Sequence, residues 1–402
     1  MPDHPGPTGD GVDAFFARSG FPAEVRSLCW DFVRSRYPAA HITEAKSQGY
    51  CSYTFSVGDG EIVQFRPPSH RLNLTIVRLA RTFYDHLVPE TEYLGVVVVH
   101  ESRTGADARE ADETPGDDAC TQNPSCLPSL YAYAMARAPG VSLAEFRASQ
   151  VLHHHQGEQS VCHNTLLRDF AKFIAAGWHT TRTVEELVKP SLRGRVGSSI
   201  KWRLSIMRDG LPWRFRTTVE AILADLEEIE ALPLALTHGD IVASNIMVED
   251  ADPGPGIRLT GILDWVEAED LPFGVGLYGL EELLGRTTQD GSFAYYSDAE
   301  ALREIFWDEL ISEVPELDRG TELRKSVDMA HVLGMFLWHG IAFDDGKLDR
   351  VVEEGRDEEE IRRLDLFFAT ARLTPTQSSP AKKALPCFER CSSAQEGQDR
   401  DL

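Results

Sequence analysis

The stretch 236-LTHGDIVASNIMVED-250 sets Asp240 and Asn245 five positions apart between two apolar runs. In an α-helix, five residues at about 100° each would turn the two side chains roughly 140° apart. In a strand an odd spacing sends them to opposite faces. They meet only if the segment between them is an irregular loop. Gly239 and the flanks LPLAL and NIMV fit a buried approach, a loop and then a strand.

Downstream, EDADPGPG (249–256) is a dense turn signal, and IRLTGILDW (257–265) reads as a second strand ending at Asp264. If 246–263 is an antiparallel hairpin in register, its midpoint falls between Gly254 and Pro255. Asn245 and Asp264 then face each other at its open end, with Cα atoms about 4.5–5.5 Å apart. A carboxamide oxygen and a carboxylate so placed could hold one hard cation. Mg²⁺ suits them best, because it takes few protein oxygens and completes its shell with water and phosphate. The plainer alternative is that both residues merely begin and end strands.

The surrounding chain narrows the options. Its 402 residues suffice for two or three units. A net charge of −24 argues against nucleic acid as a partner, since that binding needs clustered Lys and Arg. Such a field would favour a cationic small substrate, but a solvated acidic surface with no steering role is the simpler reading. The opening MPDHPGPTGDGVDAFF has no basic segment followed by an apolar run, and no apolar run reaches membrane-spanning length. A cytoplasmic protein without a membrane partner is expected. Seven scattered cysteines fit reduced thiols better than a disulfide framework. Nothing in the sequence fixes an oligomeric state.

Residues 22–36 carry apolar positions at helical spacing. Between 50 and 100, CSYTFSV, EIVQF and YLGVVVV read as strands, with LNLTIVRLARTFYDHL as one helix packed on the sheet they form. Residues 101–127 read as an exposed, disordered insertion, and YAYAMARAPG (131–140) resumes a strand. Beyond it the chain turns mostly helical. Ser142 and Glu145 have capping-box spacing, an apolar stripe runs from Leu166 to Trp178, and further helices are expected near 216–231, 297–313, 322–341 and 356–372. The division expected is an N-terminal lobe over 1–133, a C-terminal lobe over 134–372 and a flexible tail over 373–402. His153, His154 and His155, with Cys162 and His163, match no zinc spacing and read as a solvated loop.

HGDIVASN followed by GILDW resembles the catalytic loop and metal motif of the aminoglycoside phosphotransferase family, small-molecule kinases with a protein-kinase-like fold. The resemblance covers most of residues 40–370. DWVEAEDLPFGVGLYGLEELLG is similar to a fungal group of that family. It implies an α+β, two-lobed fold with a small β-rich N-terminal lobe and a larger helical C-terminal lobe. It also implies an ATP- and Mg²⁺-dependent enzyme that phosphorylates a hydroxyl of a small molecule. By position, Asp240 would accept or orient the hydroxyl proton, Asn245 and Asp264 would bind Mg²⁺, and His238 would brace the loop rather than react.

The nucleotide side matches less well. QGYCSYTF occupies the phosphate turn, with Gly49 its only glycine and Ser52 a candidate contact. Arg66 stands where the family has a lysine; it either touches phosphate or is a plain exposed strand arginine. The helix that follows has no glutamate to pair with it. Ala134, Met135 and Ala136 match the hinge whose backbone would bind adenine. Gly276 replaces an aspartate that braces the catalytic loop in many relatives, with Glu281 or Glu282 as candidate substitutes. These departures keep a second reading open, a catalytically weak nucleotide-binding pseudokinase or interaction protein.

Overall fold

The computed structural model describes residues 11–22, 24–46, 48–98, 129–153, 163–180, 194–252, 256–288, 290–344 and 347–370. The insertion and tail expected at 101–127 and 373–402 lie outside them, as do His154, His155 and Cys162 of the histidine-rich loop.

Two helices open the chain, α1 (Gly11–Arg18) and α2 (Glu24–Arg36). On α2 the buried residues are Val25, Cys29 and Val33, four apart and therefore on one stripe. Five antiparallel strands follow: β1 (Ile42–Glu44), β2 (Tyr53–Val57), β3 (Glu61–Arg66), β4 (Thr91–Val98) and β5 (Ser129–Ala136). Their spatial order is β1-β2-β3-β5-β4. Alternation along β2 and β3 sends Tyr53, Phe55, Val57, Val63 and Phe65 into one aromatic core with α1 and α2. The opposite face carries Thr54, Gln64 and Arg66, with Ser52 just ahead of β2. That face looks into the cleft between the lobes.

Helix α3 (Leu74–Tyr84) joins β3 to β4, with Asn73 as its N-cap. It meets the sheet at β4, as its place in the chain implies, and it also reaches the second lobe. Its apolar stripe, Ile76, Val77, Ala80 and Tyr84, belongs to the core of the helical lobe. The Tyr84 hydroxyl donates to the carbonyl of Leu236, and its ring stacks on Trp265 at 5.2 Å. Strong amphipathicity identified the helix, but periodicity does not say which surface covers the stripe.

The second lobe begins with β6 (Val141–Ser142) and α4 (Leu143–His153), where the capping box forms: Ser142 Oγ accepts from Glu145 N, and Glu145 Oε2 accepts from Ser142 N. Then come α5 (Asn164–His179), α6 (Ile200–Gly210), α7 (Trp213–Ala224) and α8 (Leu226–Glu230). Five strands form two small sheets. In one, β7 (Leu234–Thr237) pairs with β10 (Glu269–Pro272); in the other, the hairpin of β8 (Ile246–Asp250) and β9 (Ile257–Ile262) is joined by β6. After a short α9 (Tyr278–Leu283), three long helices close the lobe: α10 (Ala299–Glu313), α11 (Glu322–His339) and α12 (Glu358–Thr370).

The architecture is thus α+β and two-lobed, as the sequence implies. Among the described residues, no helix is long and apolar enough to cross a membrane. Cys29 and Cys51 are free thiols.

Candidate active site

The two small sheets explain why the site forms. The chain crosses from the β7/β10 pair to the β8/β9 hairpin over residues 238–245, and returns over 263–268. Both crossings link the same two sheets, so they run side by side. Asp240 lies on one and Asp264 on the other.

His238 joins the crossings. Its Nδ1 accepts the backbone N–H of Asp240 at 3.2 Å, and its Nε2 lies 2.8 Å from the carbonyl of Leu263. An imidazole that accepts at one nitrogen and donates at the other is neutral. Burial keeps it so, pulling its pKa down to about 4. Gly239, next to it, has φ +81°, and a Cβ there would lie 2.4 Å from the carbonyl oxygen of Glu267. Only glycine lets the two crossings approach this closely.

Asn245 donates from Nδ2 to Asp240 Oδ2 at 2.9 Å and to its carbonyl at 3.0 Å. This turns its amide nitrogen inward and leaves Oδ1 as the end that a cation can use. The hairpin register differs from the one expected. Ile246 pairs with Ile262 and Val248 with Leu259, with a bulge between the pairs. The extra residue is Thr260, whose hydroxyl donates to the carbonyl of Pro139 at 2.7 Å. Leu263 N therefore bonds Asn245 O at 2.8 Å, and Asp264 lies one residue beyond, in a left-handed conformation with φ 64°. A bulge leaves little signature in sequence, whereas a left-handed aspartate is uncommon and marks a constrained site.

Arg66 overturns one of its two readings. It is not an exposed strand arginine: only 2% of its surface is accessible. Its Nη2 donates to Asp264 Oδ1 at 3.0 Å, bridging the lobes, and Gln64 Oε1 accepts from its Nε and Nη2 at 3.1 and 2.9 Å. Gln64, two residues back on the same strand face, thus holds the base of a side chain that the family's pattern would pair with a helix glutamate. Arg66 Nη1 is buried and has no hydrogen-bond partner in this state.

The segment leading into β2, expected to cover phosphate, is shaped by a side chain that sequence reading missed. Gln48 Nε2 donates to the carbonyls of Ala45 and Thr54 at 2.9 Å each, and its Oε1 accepts from Thr54 N at 2.8 Å. Arg18 donates to the carbonyl of Tyr50 at 2.7 Å and lies over its ring. Gly49 lies in this turn with a negative φ, so its freedom to turn left-handed is not used. Ser52 is buried, with Oγ 3.2 Å from Thr54 Oγ1, and does not point out of the turn.

The backbone that the resemblance would set against adenine is paired within the fold. Ala134 and Met135 are paired inside the sheet with β3 and β4, Ala136 N donates to Glu90 O, and Arg137 N donates to Gly60 O, both at 2.9 Å. These amides are spent on structure, so a purine edge would find backbone beyond Arg137.

Neither Glu281 nor Glu282 replaces the missing aspartate at Gly276. Glu281 takes Arg303 and the hydroxyl of Tyr295, and Glu282 pairs with Arg363. The crossing that carries Asp240 is instead held by Tyr278, whose hydroxyl accepts the N–H of Ile241 at 2.8 Å.

Electrostatics follow from the crowding of carboxylates. Burial, and behind it the charge of Asp264, raises Asp240 to about 6. Glu267 is open to solvent yet deep in a concave site; poor hydration there, then Asp240 and Asp264, lift it to about 8. Glu269 is buried and accepts from Val196 N and Gly197 N at 3.0 and 2.7 Å, and Asp344 is paired with Arg350. Among the described residues, no group of three or more His, Cys, Asp or Glu is placed to hold a metal by itself. The donors present, an aspartate and a carboxamide oxygen in a negative pocket, fit a Mg²⁺ that takes its other ligands from phosphate and water.

No family model matches the chain. Over 96 residues it is 38% identical to the viomycin phosphotransferase of Streptomyces vinaceus, a stretch that is 22% of this chain and 32% of that protein. The chain thus matches about a third of that relative's length. Among solved structures it is similar to the GDP complex of wild-type aminoglycoside 2'-phosphotransferase-IIIa, with a TM-score of 0.47, 13% identity, and coverage of 87% of this chain and 99% of that one. It is also similar to a choline kinase from Cryptosporidium parvum Iowa II, with a TM-score of 0.44, 10% identity, and coverage of 86% and 96%. These scores are below 0.5, so the chemistry of the site rests on the chain's own residues. The local likeness is to a protein named as a phosphotransferase.

Proposed function

We propose that this chain is an ATP- and Mg²⁺-dependent phosphotransferase acting on a hydroxyl of a small molecule; its locally similar relative is named a phosphotransferase. One observation carries the reading: Asp240, Asn245 and Asp264 converge on paired crossings of the same two sheets, with Asn245 bonded to Asp240 and Asp264 held from the opposite lobe. A binding module has no use for an aspartate mounted on three hydrogen bonds.

Asp240 would align the acceptor hydroxyl and take up its proton as the oxygen attacks. Asn245 would steady that carboxylate through Nδ2 and offer Oδ1 to the cation, and Asp264 would supply the second protein oxygen. Mg²⁺, when bound, neutralises charge on the phosphate oxygens. Arg66 would exchange part of its hold on Asp264 for a phosphate oxygen, with Nη1 the arm in reserve. Most of the rate would come from alignment and charge placement. Contacts from Gly49 would be through its backbone. The acidic cleft, with Glu267 beside the crossings, favours a cationic acceptor, and dependence on ATP fits a cytoplasmic location.

Arg66 also supports a second reading. An arginine already bound to the metal ligand could leave a nucleotide-binding protein of weak turnover. Coupled detection of ADP release with Mg·ATP, across amino sugars and hydroxylated metabolites, separates the two. Turnover on any acceptor that is lost in Asp240→Asn supports the kinase. ATP-dependent thermal stabilisation without turnover on any acceptor supports the binding protein.

A further inference from the structure

A buried phenol lies beneath the crossing that carries Asp240. The two peptide N–H groups flanking the Asp240 Cα–carbonyl unit both go to side chains: that of Asp240 to His238 Nδ1, and that of Ile241 to the Tyr278 hydroxyl. Tyr278 is 4% exposed. Its ring lies parallel to that of Trp338 on α11, with centroids 4.6 Å apart and planes 13° apart. The segment around it presses on the same loop. A Cβ at Gly279 would fall 2.6 Å from Ile241 Cγ2, and one at Gly276 3.1 Å from Thr237 Cγ2.

A phenylalanine would fill this space as well, so packing does not account for the oxygen. A buried hydroxyl costs free energy unless it is bonded, and the bond recorded for it is to the peptide next to Asp240. That peptide sets the direction of the aspartate's Cα–Cβ bond, while Asn245 fixes the far end of the carboxylate. We propose that Tyr278 is a positioning residue for Asp240: its hydroxyl locks the Ile241 peptide, and Trp338 locks its ring. This rests on the phosphotransfer reading above. Tyr278 lies on the helical side of the loop, away from Ser52, Gln64 and Arg66, so its loss should leave nucleotide binding alone.

Tyr278→Phe removes the one oxygen. With Mg·ATP and whichever acceptor the panel identifies, the expected result is a fall in kcat of roughly 10- to 100-fold, as for a small misplacement of a reacting group. KM for ATP and the thermal shift on adding Mg·ATP should stay within about twofold. Amide exchange of Ile241, followed by NMR on isoleucine-labelled protein, should quicken by about tenfold or more. A kcat within about twofold of wild type overturns the proposal, as does a loss of kcat accompanied by an equal loss of ATP affinity, which would mark general loosening. Should wild type turn over no acceptor, the phosphotransfer reading fails by itself, and unchanged Ile241 exchange in Tyr278→Phe then overturns this inference separately. If Tyr278→Phe does not fold, Trp338→Leu loosens the same ring from a half-buried position. It should show the same selective loss of kcat, and full activity in it overturns the proposal.

Discussion

The two walls of the cleft are built differently. On the helical side, Asp240 and Asp264 are held by backbone geometry: two adjacent crossings of opposite direction, a glycine at φ +81°, a left-handed aspartate, and an imidazole bonded to both segments. On the sheet side, Arg66 and Ser52 are held mainly by other side chains, and the turn is tied together by the side chain of Gln48 bonding to its backbone. Constraints fixed in the backbone leave motifs in sequence. A network of side chains can be rebuilt from other residues, and it leaves no motif.

The largest effect expected is on the helical wall. Asp240→Asn keeps the shape and removes the base, so turnover should fall on the order of 10³-fold with ATP binding retained. The same change tests the electrostatics. A carboxyl whose folded pKa is raised to about 6 lends stability below its ordinary value and loses it as pH rises through 6. Asp240→Asn should therefore raise the melting temperature at pH 8 and change it little at pH 4. In wild type, kcat/KM should fall as pH drops below about 6. A profile flat down to pH 4.5 would contradict the assignment of the base.

Arg66→Met comes next and tests whether the sheet wall joins in the chemistry. Removing one partner of a buried pair is expected to cost about 2–4 kcal/mol in denaturant melts. If Arg66 also grips phosphate, KM for ATP should rise by about tenfold or more. A stability loss with ATP affinity intact would make Arg66 a structural latch. Gly239→Ala should cost about 2–3 kcal/mol, through strain at positive φ and the approach to Glu267. Gln48→Ala removes three hydrogen bonds from the turn, with an expected loss of about 1–2 kcal/mol and a rise of a few-fold in KM for ATP. Ser52→Ala should be the mildest, within about twofold in KM for ATP, because the hydroxyl faces Thr54.

The same contrast explains what could be read from sequence. The loop between LPLAL and NIMV had to be irregular for Asp240 and Asn245 to meet, and the structure bends it there. The hairpin was legible from its turn, but the turn sets Asp250 opposite Ile257, two residues short of the expected register, and the bulge at Thr260 recovers only one of them; its only cue is a hydroxyl bonded to a carbonyl 121 residues away. Helix α3 was visible as a stripe, yet its neighbour is set by tertiary contacts through Tyr84. The burial of Arg66 could not be read from an alternating strand, because it depends on Gln64 beside it and Asp264 from the other lobe. Tyr278 stood two residues past the glycine where an acidic brace was sought, and one phenol looks like any other core aromatic.

The central claim is that Asn245 and Asp264 hold the divalent cation of a bound nucleoside triphosphate beside Asp240. Its most direct test is Mn²⁺ binding, read by electron paramagnetic resonance with and without ATP, in wild type, Asn245→Ala and Asp264→Asn. The account expects tight Mn²⁺ binding only when ATP is present, weakened by about tenfold or more in each variant. Equal Mn²⁺ binding in all three proteins, or binding indifferent to ATP, would contradict it.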